Sequence, residues 1–206
     1  MSDAPEELPY FEHFTESRET IYEHAGEMLD HIIDANGLKP EPDNPAKISV
    51  LTVLGAGWPD IWKDALEEAG KEKSIPVSVR VHAFDNSEMQ IKEFRGGWFE
   101  THKVSLGGED GNVQFADLLD DLKPNILFIS NIPDKLLYEK VGPLAELIVD
   151  ELTPEIIMLS CGRDREAAQF HEFTETIERD YKIQEIESAD AEFEVPTQAI
   201  CKLKLE

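Results

Sequence analysis

The last two strands that the sequence predicts have no helix between them, and this feature constrains the fold most strongly. Upstream, apolar runs at residues 48–54, 125–129 and 155–159 are separated by helical patterns, which is typical of parallel strands covered by helices. Residues 181–186 and 197–205 instead alternate apolar and polar side chains and are joined only by an acidic loop. Parallel neighbours need a long crossover, so this direct pair forces one antiparallel strand near the sheet edge.

The predicted fold class is therefore α/β, with a Rossmann-like, doubly wound, mostly parallel sheet and an antiparallel strand near its edge. Apolar positions at helical spacing predict a further helix ahead of the first strand, over residues 17–35, with a cap near Ser17 and a stop at Asn36-Gly37. We expect one structural domain made of an acidic tail (1–8), an N-terminal helical segment packed before strand 1 (9–37) and the α/β domain (47–206).

Three aromatic residues, Tyr10, Phe11 and Phe14, precede this predicted helix. They are predicted either to fold over the mouth of the ligand site as a lid or to pad the edge of the sheet.

Charge excludes several classes of partner. The chain carries 19 basic and 44 acidic residues, a net charge of −25, and contains no basic cluster of the kind that binds phosphate backbones. Neither nucleic acid nor a membrane surface is therefore a predicted partner. The acid excess fits a salt-adapted surface, a cationic partner or simple solubility. The first residues lack the features of a signal peptide, and Cys161 and Cys201 form no metal or disulfide pattern, so we predict a cytoplasmic protein.

Two loops at strand ends carry residue types that suit a nucleoside. The run 48–54 leads into Gly55-Ala56-Gly57, and glycines let a ligand approach the backbone because they lack Cβ. The run 77–84 leads into Asp85, whose carboxylate can accept hydrogen bonds from both hydroxyls of a ribose. The alternatives are a tight turn at the glycines and a helix N-cap at Asp85.

In these loops and in its strand layout, the sequence resembles the class I S-adenosylmethionine-dependent methyltransferases. Residues 48–90, which include VLGAG and VHAFDN, are most similar to the first two motifs of the type II protein arginine methyltransferases. The resemblance implies S-adenosylmethionine as the cofactor. It also implies a set of cofactor-binding residues, with Glu109 an alternative to Asp110: Gly55, Ala56, Gly57, Asp85, Asn86, Asp110 and Ser130.

The loop after the fourth strand departs from the arginine methyltransferases, which present two glutamates there. This chain has Ser130-Asn131-Ile132-Pro133-Asp134, which is similar to the loop of amino-group methyltransferases except that an acid replaces the aromatic residue. The resemblance implies that Asn131 and Asp134 are catalytic and position or deprotonate a small or cationic acceptor. A strand-to-helix turn capped by Asp134 is the alternative, and arginine methylation is not predicted.

Two other functions stay open beside the methyltransferase. A non-catalytic binding module with a degraded cofactor pocket is suggested by Val53, where many methyltransferases have an acid, and by Trp58, where a small residue often follows the glycines. An NAD-dependent oxidoreductase is disfavoured because the last glycine of GxGxxG is missing. His24 and His31 lie two helical turns apart, too far for one ion, so no metal is predicted.

Overall fold

The computed structural model of the chain describes residues 8–53, 59–85, 99–103, 122–130, 145–146, 148–160, 167–186 and 198–205. Its strands are β1 (Ala46–Val53), β2 (Val77–Asp85), β3 (Phe99–Lys103), β4 (Ile126–Ser130), β5 (Ile156–Ser160), β6 (Tyr181–Ile186) and β7 (Gln198–Leu203).

All of these strands join one seven-stranded sheet in the order β3-β2-β1-β4-β5-β7-β6. The pairs among β1 to β5 are all parallel, and β7 runs antiparallel to both β5 and β6. This arrangement confirms the predicted Rossmann-like α/β fold, including the antiparallel strand next to the edge.

The described helices are α1 (Leu8–Asn36), α2 (Pro59–Lys73) and α3 (Ala167–Ile177), and a π-helical turn spans Ile148–Leu152. Among the described residues, no helix has both the length and the apolar character needed to cross a lipid bilayer.

The start predicted for α1 is wrong, because the helix begins at Leu8 rather than near Ser17. Ser17 is not a cap. It is fully buried on the same stripe of the helix as Ile21 and Ala25, and its hydroxyl is hydrogen-bonded to that of Ser160, with the two oxygens 2.6 Å apart. The sequence pattern does not distinguish a helix cap from a serine within a helix that faces the protein interior.

The predicted end of α1 is confirmed. Gly37 has a φ of 57°, its N–H donates to the carbonyl of Asp34, and the N–H of Leu38 donates to the carbonyl of Ile33. This pair of hydrogen bonds is the Schellman arrangement, which needs a left-handed residue after the helix, and glycine adopts that conformation without strain.

Apolar side chains cover both faces of the sheet, as a doubly wound fold requires. One face packs against α1 and α2, and Trp62 of α2 meets Phe128 of β4 edge to face with ring centroids 5.5 Å apart. The other face packs against α3 and the π-helical turn, with Phe170 and Phe173 among its buried residues.

Helix α1 runs along the sheet from the carboxyl ends of the parallel strands, called the carboxyl edge below, to their amino ends. Ser17 touches Ser160 at the carboxyl end of β5, while Asn36 donates to the carboxylate of Glu155, which directly precedes β5. Glu155 also accepts a hydrogen bond from Asn125, which directly precedes β4. Because α1 runs from the carboxyl edge of the parallel strands to their amino edge, residues 8–16 continue its axis about 13 Å beyond Ser17, past the carboxyl edge.

Candidate functional site

The parallel strands end together at one edge of the sheet, and their register shows which ends are neighbours. Val53, the last residue of β1, lies opposite Phe84, so Asp85 at the end of β2 is one residue further along. β1 and β4 are neighbours at the centre of the sheet. From β1 the chain adds β2 and β3 on one side, and from β4 it adds β5 on the other, so the strand order reverses between β1 and β4. Open α/β sheets bind their ligands outside the carboxyl ends of the strands at such a switch point.

Two of the residues predicted to bind a ligand fall at this edge. Asp85 is the last residue of β2, between the ends of β1 and β3, and lies opposite Lys103. Ser130 is the last residue of β4 and lies opposite Ser160 of β5. The two positions are therefore on opposite sides of the switch point, as expected if one ligand spans it.

The other predicted site residues, together with Glu109, Trp58 and Cys161, lie outside the described residues: Gly55, Ala56, Gly57, Asn86, Asp110, Asn131 and Asp134. In the sequence, Gly55 follows the end of β1 at Val53 by two residues, and Asp85 is itself the end of β2. Neighbouring strands are about 4.8 Å apart, so the last residues of β1 and β2 lie side by side.

The chemistry of this position fits the adenosine half of a cofactor. A carboxylate is an acceptor for hydrogen bonds and can take one from each of two vicinal hydroxyls. Gly55 and Gly57, which follow β1 in the sequence, have no side chain, and this suits close approach by a ligand.

A second polar group at the carboxyl edge was missed by the sequence analysis. Ser160 ends β5 and is 1% exposed, and its neighbour Gln198, which begins β7, is 3% exposed. Ser17 of α1 packs onto this pair through its hydrogen bond to Ser160. The available signal was that the apolar runs of β4 and β5 both end in serine at the same register position.

His24 and His31 of α1 belong to a different part of the molecule. His24 Nδ1 lies 3.4 Å from a carboxylate oxygen of Glu27, which also pairs at 3.0 Å with Lys202. The hydrogen bond from Lys202 lowers the pKa of Glu27, and burial lowers the pKa of His31. Lys202 lies opposite Ile156, at the amino end of β5, so this group is remote from the carboxyl edge. The described part of the chain contains no cluster suited to a metal ion.

Cys201 is also remote from the candidate site. It is fully buried in the core on the α3 face, and burial raises the pKa of its thiol to about 12. A thiol with so high a pKa is almost wholly protonated at neutral pH and is a poor nucleophile.

Comparison with known proteins does not assign the chain to a family, but it identifies solved structures with a similar fold. No protein-family model matches the sequence, and no curated protein matches it. The citrinin polyketide synthase CMeT domain is similar over 79% of this chain and 48% of that one, with 13% identity and a TM-score of 0.47. A protein named as a class I S-adenosylmethionine-dependent methyltransferase from Listeria monocytogenes is similar over 90% of this chain and 59% of that one, with 9% identity and a TM-score of 0.48.

A third similar structure is the release-factor-specific protein-(glutamine-N5) methyltransferase from Alicyclobacillus acidocaldarius. It matches over 86% of this chain and 90% of its own, with 14% identity and a TM-score of 0.41. The present chain thus spans about half to three fifths of the length of the first two structures. At these identities and scores, the assignment of the fold rests on the strand order of the chain itself.

Proposed function

We propose that the chain is a class I S-adenosylmethionine-dependent methyltransferase that acts on a small or cationic acceptor. The observation that carries the proposal is the position of Asp85. It ends β2 beside the end of β1, next to the switch point of the sheet. Among the described strands of this sheet, only β7 runs opposite to the other six.

The residues around this position would hold the cofactor. Asp85 would accept hydrogen bonds from the ribose hydroxyls, and the Gly55-Ala56-Gly57 segment would let the backbone approach the ligand. Asn86 and Asp110 would complete the adenosine side, and Ser130 would stand on the far side of the switch point. When bound, S-adenosylmethionine supplies a methyl group that its sulfonium has already activated.

The chain itself then has to bind the acceptor and align it. Holding two reactants in line can supply much of the rate acceleration, because it removes the entropy cost of their encounter. Asn131 and Asp134 follow β4 in the sequence. Asn131 would orient the acceptor, and the carboxylate of Asp134 would orient it and take up its proton, which frees the lone pair that receives the methyl group. A carboxylate at Asp134 and a net charge of −25 both favour an acceptor that is cationic before this proton transfer.

The test of this assignment compares Asp85→Ala with Asp60→Ala. Asp60 is an exposed acid in the first turn of α2 and serves as the matched control, because it removes one negative charge without touching the end of β2. Losing hydrogen bonds to a charged group costs about 1–3 kcal/mol, so the dissociation constant for S-adenosylhomocysteine should rise about 5- to 150-fold in Asp85→Ala. The control should stay within about twofold of the parent.

Calorimetric titration measures both variants, and circular dichroism shows whether they are folded. A folded Asp85→Ala protein with the affinity of the parent would refute the ribose assignment. An equal loss in Asp60→Ala would show that the effect is general electrostatics rather than a contact.

A further inference from the structure

One buried polar atom near the candidate site has no hydrogen-bond partner among the described residues. Gln198 is 3% exposed, and among the described residues nothing donates a hydrogen bond to its Oε1. Buried oxygens without a donor are uncommon because desolvation without a compensating hydrogen bond is costly. An unpartnered oxygen at the carboxyl ends of the strands, where open α/β sheets bind their ligands, is a candidate contact for a ligand.

The register places Gln198 at the carboxyl edge. It is the first residue of β7 and lies opposite Ser160, which in turn lies opposite Ser130 at the end of β4. Residues alternate between the faces of a strand, so Gln198 shares the α1 face with Ile200, which is part of the core under α1.

Helix α1 covers the sheet at the carboxyl ends of β5 and β7, and we call this region the corner. Ser17 binds the hydroxyl of Ser160 directly, and the helix continues beyond Ser17 over residues 8–16, past the ends of the strands. Gln198 therefore lies at the carboxyl ends of the strands, on the face of the sheet that α1 covers.

This corner is separate from the position assigned to the cofactor. The adenosine side lies over β1 and β2, whereas β7 is the third strand from β1 in the sheet, about 14 Å away at a strand spacing of about 4.8 Å. The strand ends of β5 and β7, beyond Ser130 of β4, are thus left for the second substrate.

We propose that Gln198 is an acceptor-binding residue, whose Oε1 receives a hydrogen bond from an N–H or O–H group of the methyl acceptor. This inference rests on the proposed function and narrows its substrate class: the acceptor carries a hydrogen-bond donor away from the atom that is methylated.

The experiment uses three variants. Gln198→Met removes the oxygen at similar volume, and Gln198→Glu keeps an acceptor oxygen. Gln184→Met is the control, because Gln184 is half-buried on β6 opposite Ile200, on the same face but away from the carboxyl edge.

Each protein is tested for transfer of tritium from S-adenosyl-[methyl-³H]methionine to a cell extract from the source organism, separated into small-molecule and macromolecular fractions. Affinity for S-adenosylhomocysteine and melting temperature are measured in parallel. We expect Gln198→Met to lower transfer at least tenfold, to leave the affinity within twofold, and to melt at the same temperature or higher, because an unpartnered oxygen has been removed. Gln198→Glu should retain more transfer than Gln198→Met, and Gln184→Met should match the parent.

Three results would overturn the inference. Transfer by Gln198→Met at the parent rate would show that the acceptor does not use this oxygen. A parallel loss of affinity for S-adenosylhomocysteine would place Gln198 in the cofactor site instead. A parent protein that binds S-adenosylhomocysteine but labels neither fraction would show that no acceptor is bound for transfer. Failure of the parent to bind S-adenosylhomocysteine, in contrast, is the distinct signature that the proposed function itself is wrong.

Discussion

The hydrogen bond between Ser17 and Ser160 should hold α1 against the carboxyl edge, and a double-mutant cycle measures its strength. Both side chains are buried and the two oxygens are 2.6 Å apart, so the bond should contribute about 0.5–1.5 kcal/mol to stability. Ser17→Ala also gains about 0.5 kcal/mol of helix propensity, which partly hides the loss. The propensity appears equally in the single and the double variant, so it cancels in the coupling free energy, which we expect to be about 1 kcal/mol.

Urea unfolding of the parent, the two single variants and the double variant provides the four free energies. For a chain of this size, 1 kcal/mol corresponds to about 2–4 °C in melting temperature, which gives a second readout. Ser49→Ala is the matched control, because the buried hydroxyl of Ser49 has no hydrogen-bond partner among the described residues and its removal should cost little. A coupling free energy near zero, or an equal loss in Ser49→Ala, would refute the placement of α1 by this bond.

Three further predictions concern the core, the pH dependence and the pocket. Gly26→Ala and Gly70→Ala should have opposite effects on unfolding free energy. A Cβ at Gly26 meets only the flexible end of the Lys73 side chain at 2.9 Å, so the better helix propensity of alanine should stabilise the protein by up to about 1 kcal/mol. A Cβ at Gly70 would lie 2.8 Å from a backbone oxygen, so this substitution should cost about 1–3 kcal/mol. Changes of the same sign in urea titrations of the two variants would contradict this. Because the pKa of Cys201 is raised in the folded protein, its thiol ionises at lower pH in the unfolded chain than in the folded one. The free energy of unfolding should therefore fall by about 1.4 kcal/mol per pH unit above the ordinary thiol pKa. Cys201→Ala should remove that part of the slope between about pH 9 and 11. Parallel curves for parent and variant would show that the thiol does not contribute. Trp58→Ala should leave the affinity for S-adenosylmethionine unchanged or weaker in calorimetry, and tighter binding would instead favour a module whose pocket the indole fills.

The strands were predictable because their signals are local. Runs such as residues 48–54 and 155–159 are apolar enough to identify buried parallel strands, and β1 and β5 were found within one or two residues of them. The antiparallel strand β7 was predicted from a missing helix, which is a property of the connection rather than of any residue. Asp85 and Ser130 could be placed at strand ends for the same reason.

What the sequence did not reveal depends on distant partners. Serine is a residue type that often caps helices, so Ser17 resembles a cap in the sequence. Its position inside the protein depends on the contact with Ser160, which is 143 residues away in the chain. Gln198 begins an alternating strand and looks like an ordinary polar residue. Its burial follows from the neighbours that the sheet order and α1 bring together, and a single sequence carries no local sign of that packing.

The most direct measurement of the central claim is a calorimetric titration of the parent protein with S-adenosylmethionine, S-adenosylhomocysteine and NAD. The carboxylate at the end of β2 and the glycines that follow β1 in the sequence suit an adenosine, which both ligand classes contain. The missing last glycine of GxGxxG favours an adenosyl sulfonium ligand over a dinucleotide. The account predicts that both adenosyl ligands bind with one site per chain and that NAD gives no heat of binding. Saturable binding of NAD, or no binding of either adenosyl ligand by the folded protein, would contradict it.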